Sequence, residues 1–143
     1  MNNRINYLDN INFKDKVAIV RVDFNVPLSD NLIISDNTRI KKGIVSIKHI
    51  IKNGGKCIII SHLGRPLGKG YEKKYSLENI LPYISKELNH DISFIKNYFD
   101  ADFNLGKIKS DIILLENLRF YKEEKNNNIE FAKKLASLAD VYV

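Results

Sequence analysis

The chain has 143 residues, of which 44% are apolar, and carries 23 lysines and arginines against 17 acidic residues, a formal net charge of +6. That length suits one domain with a sizeable core and is too short for two, and that composition excludes a disordered or fibrous chain. No apolar run is long enough to cross a bilayer and the opening lacks the apolar core of a secretory signal, so a cytoplasmic address is expected.

Taken in order, residues 1–15 read as an opening segment in which Asn2, Asn3, Asn10 and Asn12 disfavour regular structure. A first strand is predicted over residues 17–23, with Arg21, Asp23 and Asn25 on one side of the extended chain and Val20, Val22 and Phe24 on the other. After a turn-rich stretch, Asp36, Asn37 and Thr38 offer caps to a helix whose apolar stripe is Ile40, Ile44, Ile47 and Ile51, widened by Ile50. Asn53-Gly54-Gly55 stops it, and a second buried strand is predicted over residues 57–61, making a parallel strand-helix-strand unit. Cys57 lies in that strand; a lone cysteine forms neither an internal disulfide nor a zinc site, so a buried structural thiol is expected.

Residues 62–75 form a Gly- and Lys-bearing loop. Ser76 then caps a turn to Leu81, and Pro82 forces a second helix to begin near itself rather than run through it. A short strand is predicted at residues 92–95, irregular chain at 98–110, and a strand buried on both faces at 112–115. Asn126-Asn127-Asn128 precede a helix with Ile129, Ala132, Leu135, Ala136 and Ala139 on one stripe, and the last residues, from 140, begin another strand. The alternation predicts an α/β fold, a doubly wound parallel sheet with flanking helices.

Three strands, beginning at Val17, Cys57 and Ile112, each run directly into polar, ionisable and Gly or Pro residues. Ligands bind outside the carboxyl ends of parallel strands, so three such ends side by side would make one anion-receiving surface. Arg39, Arg65 and Arg119 lie in or just after these loops, and guanidiniums on separate loops can converge on one phosphate or carboxylate with bidentate geometry. Taken singly, each is more often a plain surface residue, and Arg21 is set aside. His62, at a strand end beside Gly64, can donate to a phosphate, whereas His49 and His90 have structural or solvent-facing readings. Asp23 and Asn25 are either turn formers ahead of Pro27 or the partners of a substrate hydroxyl and carbonyl; Glu116 and Asn117 are read as loop organisers. Gly64, Gly68 and Gly70 match neither a dinucleotide fingerprint nor a Walker loop, and no metal-ligand spacing occurs. The positive charge favours anionic partners in general, but a nucleic-acid module would interleave basic and aromatic residues on one face, and here the arginines gather at strand ends.

The motifs RVDFNVP at 21–27, DNTRI at 36–40, SHLGRP at 61–66 and ENLRFYKEE at 116–124, with EFAKKLASLADVYV at the end, resemble the signatures of phosphoglycerate kinase, in the right order over nearly the whole chain. Leu118 is a mild departure. The resemblance implies an enzyme that moves a phosphoryl group between 1,3-bisphosphoglycerate and ADP, giving 3-phosphoglycerate and ATP, built from two doubly wound domains. It implies that Asp23 and Asn25 orient the carboxyl and hydroxyl end of the glycerate, that His62, Arg65 and Arg119 grip its 3-phosphate, and that Arg39 is catalytic, reaching the group in flight. Phe24, Leu63 and Gly64 complete the implied substrate-binding set. The likeness stops where family members continue into an Asn-Asp-Ala-Phe segment. Residues 1–143 are therefore expected to be a partial N-terminal, glycerate-binding domain, inactive alone. Mg-ATP or Mg-ADP would be held by the C-terminal domain that this chain lacks, and no cofactor or metal is expected within it. No nucleic-acid or membrane partner is expected, and the full-length family member is expected to be monomeric.

Overall fold

The computed structural model describes residues 7–143, so Asn2, Asn3 and Arg4 lie outside the described residues. Five strands are present: β1 (Val17–Arg21), β2 (Lys56–Ile60), β3 (Ile92–Ile95), β4 (Ile112–Leu115) and β5 (Val141–Tyr142). All pair in parallel, in the spatial order β3-β4-β2-β1-β5. The helices are α1 (Thr38–Lys52), α2 (Leu81–Leu88), the one-turn α3 (Lys122–Lys125) and α4 (Ile129–Ala136).

Strand periodicity divides the core in two. Ala18, Val20, Cys57, Ile59, Ile112 and Leu114 point to one face, where Ile40, Ile44, Ile47 and Ile50 of α1 and Ile84 and Leu88 of α2 cover them. Ile19, Ile58, Ile60, Ile113 and Leu115 point to the other, covered by Phe131 and Leu135 of α4 and by Tyr98. Each fully buried isoleucine contributes roughly 2 kcal/mol by its removal from water. Helices on both faces make the sheet doubly wound. Cys57 is fully buried, and burial pushes its thiol up to about 12, so it is the inert core group that its strand position predicts.

The structure departs from the sequence reading at five points. The ladder of β1 ends at Arg21 rather than Asp23, although Val22 N–H still donates to Ile60 O, and β2 runs one residue earlier than predicted. Ile50 rather than Ile51 closes the stripe of α1, because the chain doubles back through Gly55, whose backbone leaves no room for a Cβ beside Ile50. Ile129, Ala132 and Ala136 of α4 are exposed, while Phe131 and Leu135 are buried. The alanines had defined the predicted stripe, but Phe131 wins because it joins Phe99 and Tyr121, with ring centroids at 5.1 and 5.6 Å. Finally, α3 was not foreseen.

Ser76 and Pro82 act as read, whereas Asn37, at the N-cap of α1, makes no side-chain capping bond. Ser76 Oγ accepts from Glu78 N, and α2 begins at Leu81 with Pro82 in its first turn. Asn128 caps α4, its Oδ1 accepting from Phe131 N at 2.9 Å. Asn128→Ala will destabilise the chain by about 1 kcal/mol, the usual worth of such a cap. In a circular-dichroism melt that is a Tm lower by roughly 3–5 °C; an unchanged Tm would show that α4 does not depend on its cap.

Candidate anion-binding site at the strand ends

The loops leaving β1, β2 and β4 are spatial neighbours because their strands are adjacent in the sheet. Buried polar groups then stitch them together. Ser61 Oγ accepts from Phe24 N at 3.0 Å and Asn25 Oδ1 from Gly64 N at 2.8 Å, tying the first loop to the second. Asn117, with no exposed surface, donates through Nδ2 to Leu63 O and Tyr75 O and accepts through Oδ1 from Arg119 N. Glu116, 3% exposed, accepts from Ser76 Oγ at 2.6 Å and from the backbone N–H groups of Leu77 and Asn117. Glu116 and Asn117 are the loop organisers that their position suggested. Among the described residues no buried side-chain nitrogen or oxygen lacks a partner, so the loops are held rigidly.

On this frame Asp23 accepts from Arg39 Nη1, at 3.1 Å through Oδ1 and 3.0 Å through Oδ2, and from Asn25 N, while Asn25 O also accepts from Arg39 Nη1. Arg39 sits in the first turn of α1, just after the loop leaving β1, and reaches the site from there. Arg119 belongs to the turn Leu118–Phe120 after β4, and its Nε donates to Glu124 Oε2 at 3.2 Å. The other oxygen of Glu124 accepts from Arg21 Nη2 at 2.8 Å. Arg65 is exposed and makes no hydrogen bond to the other candidates among the described residues; it is adjacent to them in the chain through Gly64.

His62 lies among these charges. Burial lowers its pKa most and Arg119 lowers it further, against a partial pull upward from Asp23 and Glu124, so the imidazole falls below its ordinary 6.5 and is neutral at pH 7. For Glu124 burial works upward, but the Arg21 hydrogen bond and the Arg119 guanidinium outweigh it and hold the carboxyl below its usual range. Both shifts have the same consequence. The stability they contribute is present above the unfolded-state pKa values and is lost as pH falls through the folded-state ones.

The side chains of Phe24 and Leu63 are buried in the core. Phe24 also engages its backbone, with N–H on Ser61 and C=O accepting from Val26 N, so it holds Asp23 and Asn25 in place on either side of it. Gly64 has φ of +64°, and a Cβ there would lie 2.2 Å from the Tyr75 ring. Only glycine lets Tyr75 pack against that turn. A cleft of about 380 Å³ opens beside it, lined by Asn25, Arg39, Leu63, Gly64, Lys74 and Tyr75. A larger hollow of about 700 Å³ is lined by Lys69, Lys96 and Lys122, but Lys96 is already paired with Glu78 at 2.8 Å and no arginine lines it. Convergence of charge, rather than volume, chooses the site.

Arg21, Glu124, Lys74 and Tyr75 were absent from the sequence-derived set. Arg21 ends the exposed side of a buried strand, and Glu124 is an acid directly after a guanidinium-bearing turn. Those were signals available for two of them; nothing local marks Lys74 or Tyr75.

Comparison with known proteins bears on the family and the fold. The family model described as phosphoglycerate kinase matches residues 8–143. The chain is 44% identical over 139 residues to the cytosolic phosphoglycerate kinase 3 of Arabidopsis thaliana, covering 95% of this chain and 34% of that protein. It is 42% identical over 140 residues to the phosphoglycerate kinase of Wolbachia from Brugia malayi, again covering 95% and 34%. The fold superposes on the phosphoglycerate kinase of Coxiella burnetii with a TM-score of 0.81 at 34% identity, covering 94% of this chain and 33% of that one. The chain thus spans about a third of the length of the curated relatives it matches. With its parallel sheet, strand-end loops and family match in agreement, the chain belongs to the phosphoglycerate kinase family.

Proposed function

We propose that this chain is the glycerate-binding part of an enzyme that moves a phosphoryl group reversibly between 1,3-bisphosphoglycerate and ADP, giving 3-phosphoglycerate and ATP. The observation that carries this reading is the meeting of His62, Arg119 and Arg21 with the Asp23–Arg39 pair at the ends of neighbouring strands. Arg21, Arg39, Arg65 and Arg119 against Asp23 and Glu124 leave two formal positive charges at neutral pH. A phosphate monoester brings a charge of about −2 at pH 7.

Phosphoryl transfer asks the protein for positioning and charge neutralisation rather than covalent chemistry. His62, Arg65 and Arg119 are assigned to the 3-phosphate, where a neutral imidazole donates one N–H and guanidiniums donate in pairs. Asp23 and Asn25 are assigned to the carboxyl and hydroxyl end. Arg39 uses Nη1 on Asp23 and Asn25 O, which keeps its remaining N–H groups for the transferring phosphoryl oxygens. Mg-nucleotide supplies and accepts the phosphoryl group in this reaction. Its seat is assigned, by the family reading alone, to the C-terminal domain, and no step is routed through it; among the described residues no three His, Cys, Asp or Glu side chains gather as a metal site. A cytoplasmic, monomeric full-length protein belongs to this reading, although the plant relatives include both cytosolic and chloroplastic enzymes. No described helix is long and apolar enough to cross a membrane.

Calorimetric titration of 3-phosphoglycerate into the 143-residue chain tests the reading. One-site heat that weakens as salt rises is the expected result. No heat at millimolar ligand would overturn it.

A further inference from the structure

Glu124 is a nearly buried carboxylate that enters the reading above only as a charge. Its side chain is 9% exposed, and its two oxygens are divided between guanidiniums from different strand ends: Oε1 takes Arg21 Nη2 at 2.8 Å and Oε2 takes Arg119 Nε at 3.2 Å. The Arg119 contact is on the Nε edge, and among the described residues both its Nη groups are without a protein hydrogen-bond partner. Arginine is long and loses much rotamer freedom when fixed. An anion that had to order Arg119 itself would bind with that cost subtracted, whereas a guanidinium already held by one edge presents the other ready to donate. Glu124 is itself set close by: α3 starts two residues after the Arg119 turn, and Glu124 N donates to Tyr121 O at 3.2 Å. Tyr121 in turn packs against Tyr98 of the buried aromatic cluster.

We propose that Glu124 is a positioning residue, clamping Arg119 and Arg21 across the ends of β4 and β1 so that the free Nη edge of Arg119 faces the anion. The clamp acts through Arg119 and makes no contact with substrate. A carboxylate near a phosphate also repels it, so the opposite outcome is physically open: if repulsion outweighed preorganisation, removing the charge would tighten binding.

The inference rests on the 3-phosphoglycerate reading for its ligand, but the clamp is also visible without one. In the unliganded protein the Arg119 Nε–H resonance will be resolved and slow to exchange, and in Glu124→Gln it will collapse to the position of a free arginine. Affinity for 3-phosphoglycerate will fall about tenfold in Glu124→Gln, the size expected for loss of one hydrogen bond to a charged group, and Glu124→Asp will restore part of it. In an Arg119→Ala background Glu124→Gln will change affinity less than twofold, since the guanidinium through which the clamp reaches the anion is gone and Arg21 alone remains on Glu124. Tighter binding by Glu124→Gln, an unmoved Nε–H resonance, or an equal loss in the Arg119→Ala background would each overturn the clamp. Should the resonance collapse as expected while the wild-type chain binds no 3-phosphoglycerate, the substrate reading fails and the clamp stands.

Discussion

Glu116→Ala will lower the stability of the chain by about 3–5 kcal/mol, because the buried hydroxyl and two backbone N–H groups that this carboxylate accepts lose their partner together. Ser76 Oγ can turn elsewhere; the N–H groups of Leu77 and Asn117 cannot. For a domain of this size the loss corresponds to a Tm lower by roughly 10–15 °C. Glu116→Gln separates hydrogen bonding from mere side-chain volume. Its carbonyl can replace Oε1 toward both backbone donors, and its amide can donate to Ser76 Oγ, which already accepts from Glu78 N. That variant will lose only about 1 kcal/mol. Thermal melts of the two proteins decide the matter, and equal losses would show that charge, not acceptor geometry, holds the β4 loop.

Gly64→Ala will nearly abolish the site. The new methyl meets the Tyr75 ring at 2.2 Å on a backbone with φ of +64°, so the turn must move. Left-handed backbone costs an alanine about 1 kcal/mol and the overlap a further 1–3 kcal/mol. The displacement pulls Gly64 N away from Asn25 Oδ1, now 2.8 Å off, and carries His62 and Arg65 with it. Misplacing binding groups by an ångström costs on the order of a hundredfold, so 3-phosphoglycerate affinity will fall by that factor. Tyr75→Ala added to Gly64→Ala removes the obstacle and should recover most of the affinity. If it recovers none, the backbone angle rather than the ring is what requires glycine.

Much of this architecture could be read from one dimension. Strands buried on both faces announce themselves as unbroken apolar runs, which is why Ile112, Ile113, Leu114 and Leu115 were assignable at once and their neighbours in the sheet followed. Caps and breakers were equally legible: Ser76, Pro82 and Gly55 act locally, and local chemistry does not need the fold. Phe131 was misread for the opposite reason. Its burial depends on Phe99 and Tyr121, which lie 32 and 10 residues away, and a stripe of alanines fits helical spacing just as well until those rings are placed. The site followed the same division. Motif resemblance supplied Asp23, Asn25, Arg39, His62 and Arg119, and the structure brings these together. Arg65 it leaves exposed beside them, without a hydrogen bond to the rest. Arg21 was set aside because it falls within the first predicted strand rather than in a strand-end loop; it acquires meaning from Glu124, 103 residues on.

The strand order bears on how such a site comes into being. β1, β2 and β4 are contributed by positions 17, 56 and 112 onward, and β2 must be flanked by both others before the three loops meet. No hairpin or local helix pair contains the site, so a half-collapsed chain offers an anion nothing to grip. A ligand held here would therefore stabilise the fully assembled state alone, by mass action. Its protection would appear in the slowest-exchanging amides of the central strands, those released only by complete unfolding, as strongly as in the loops that touch it.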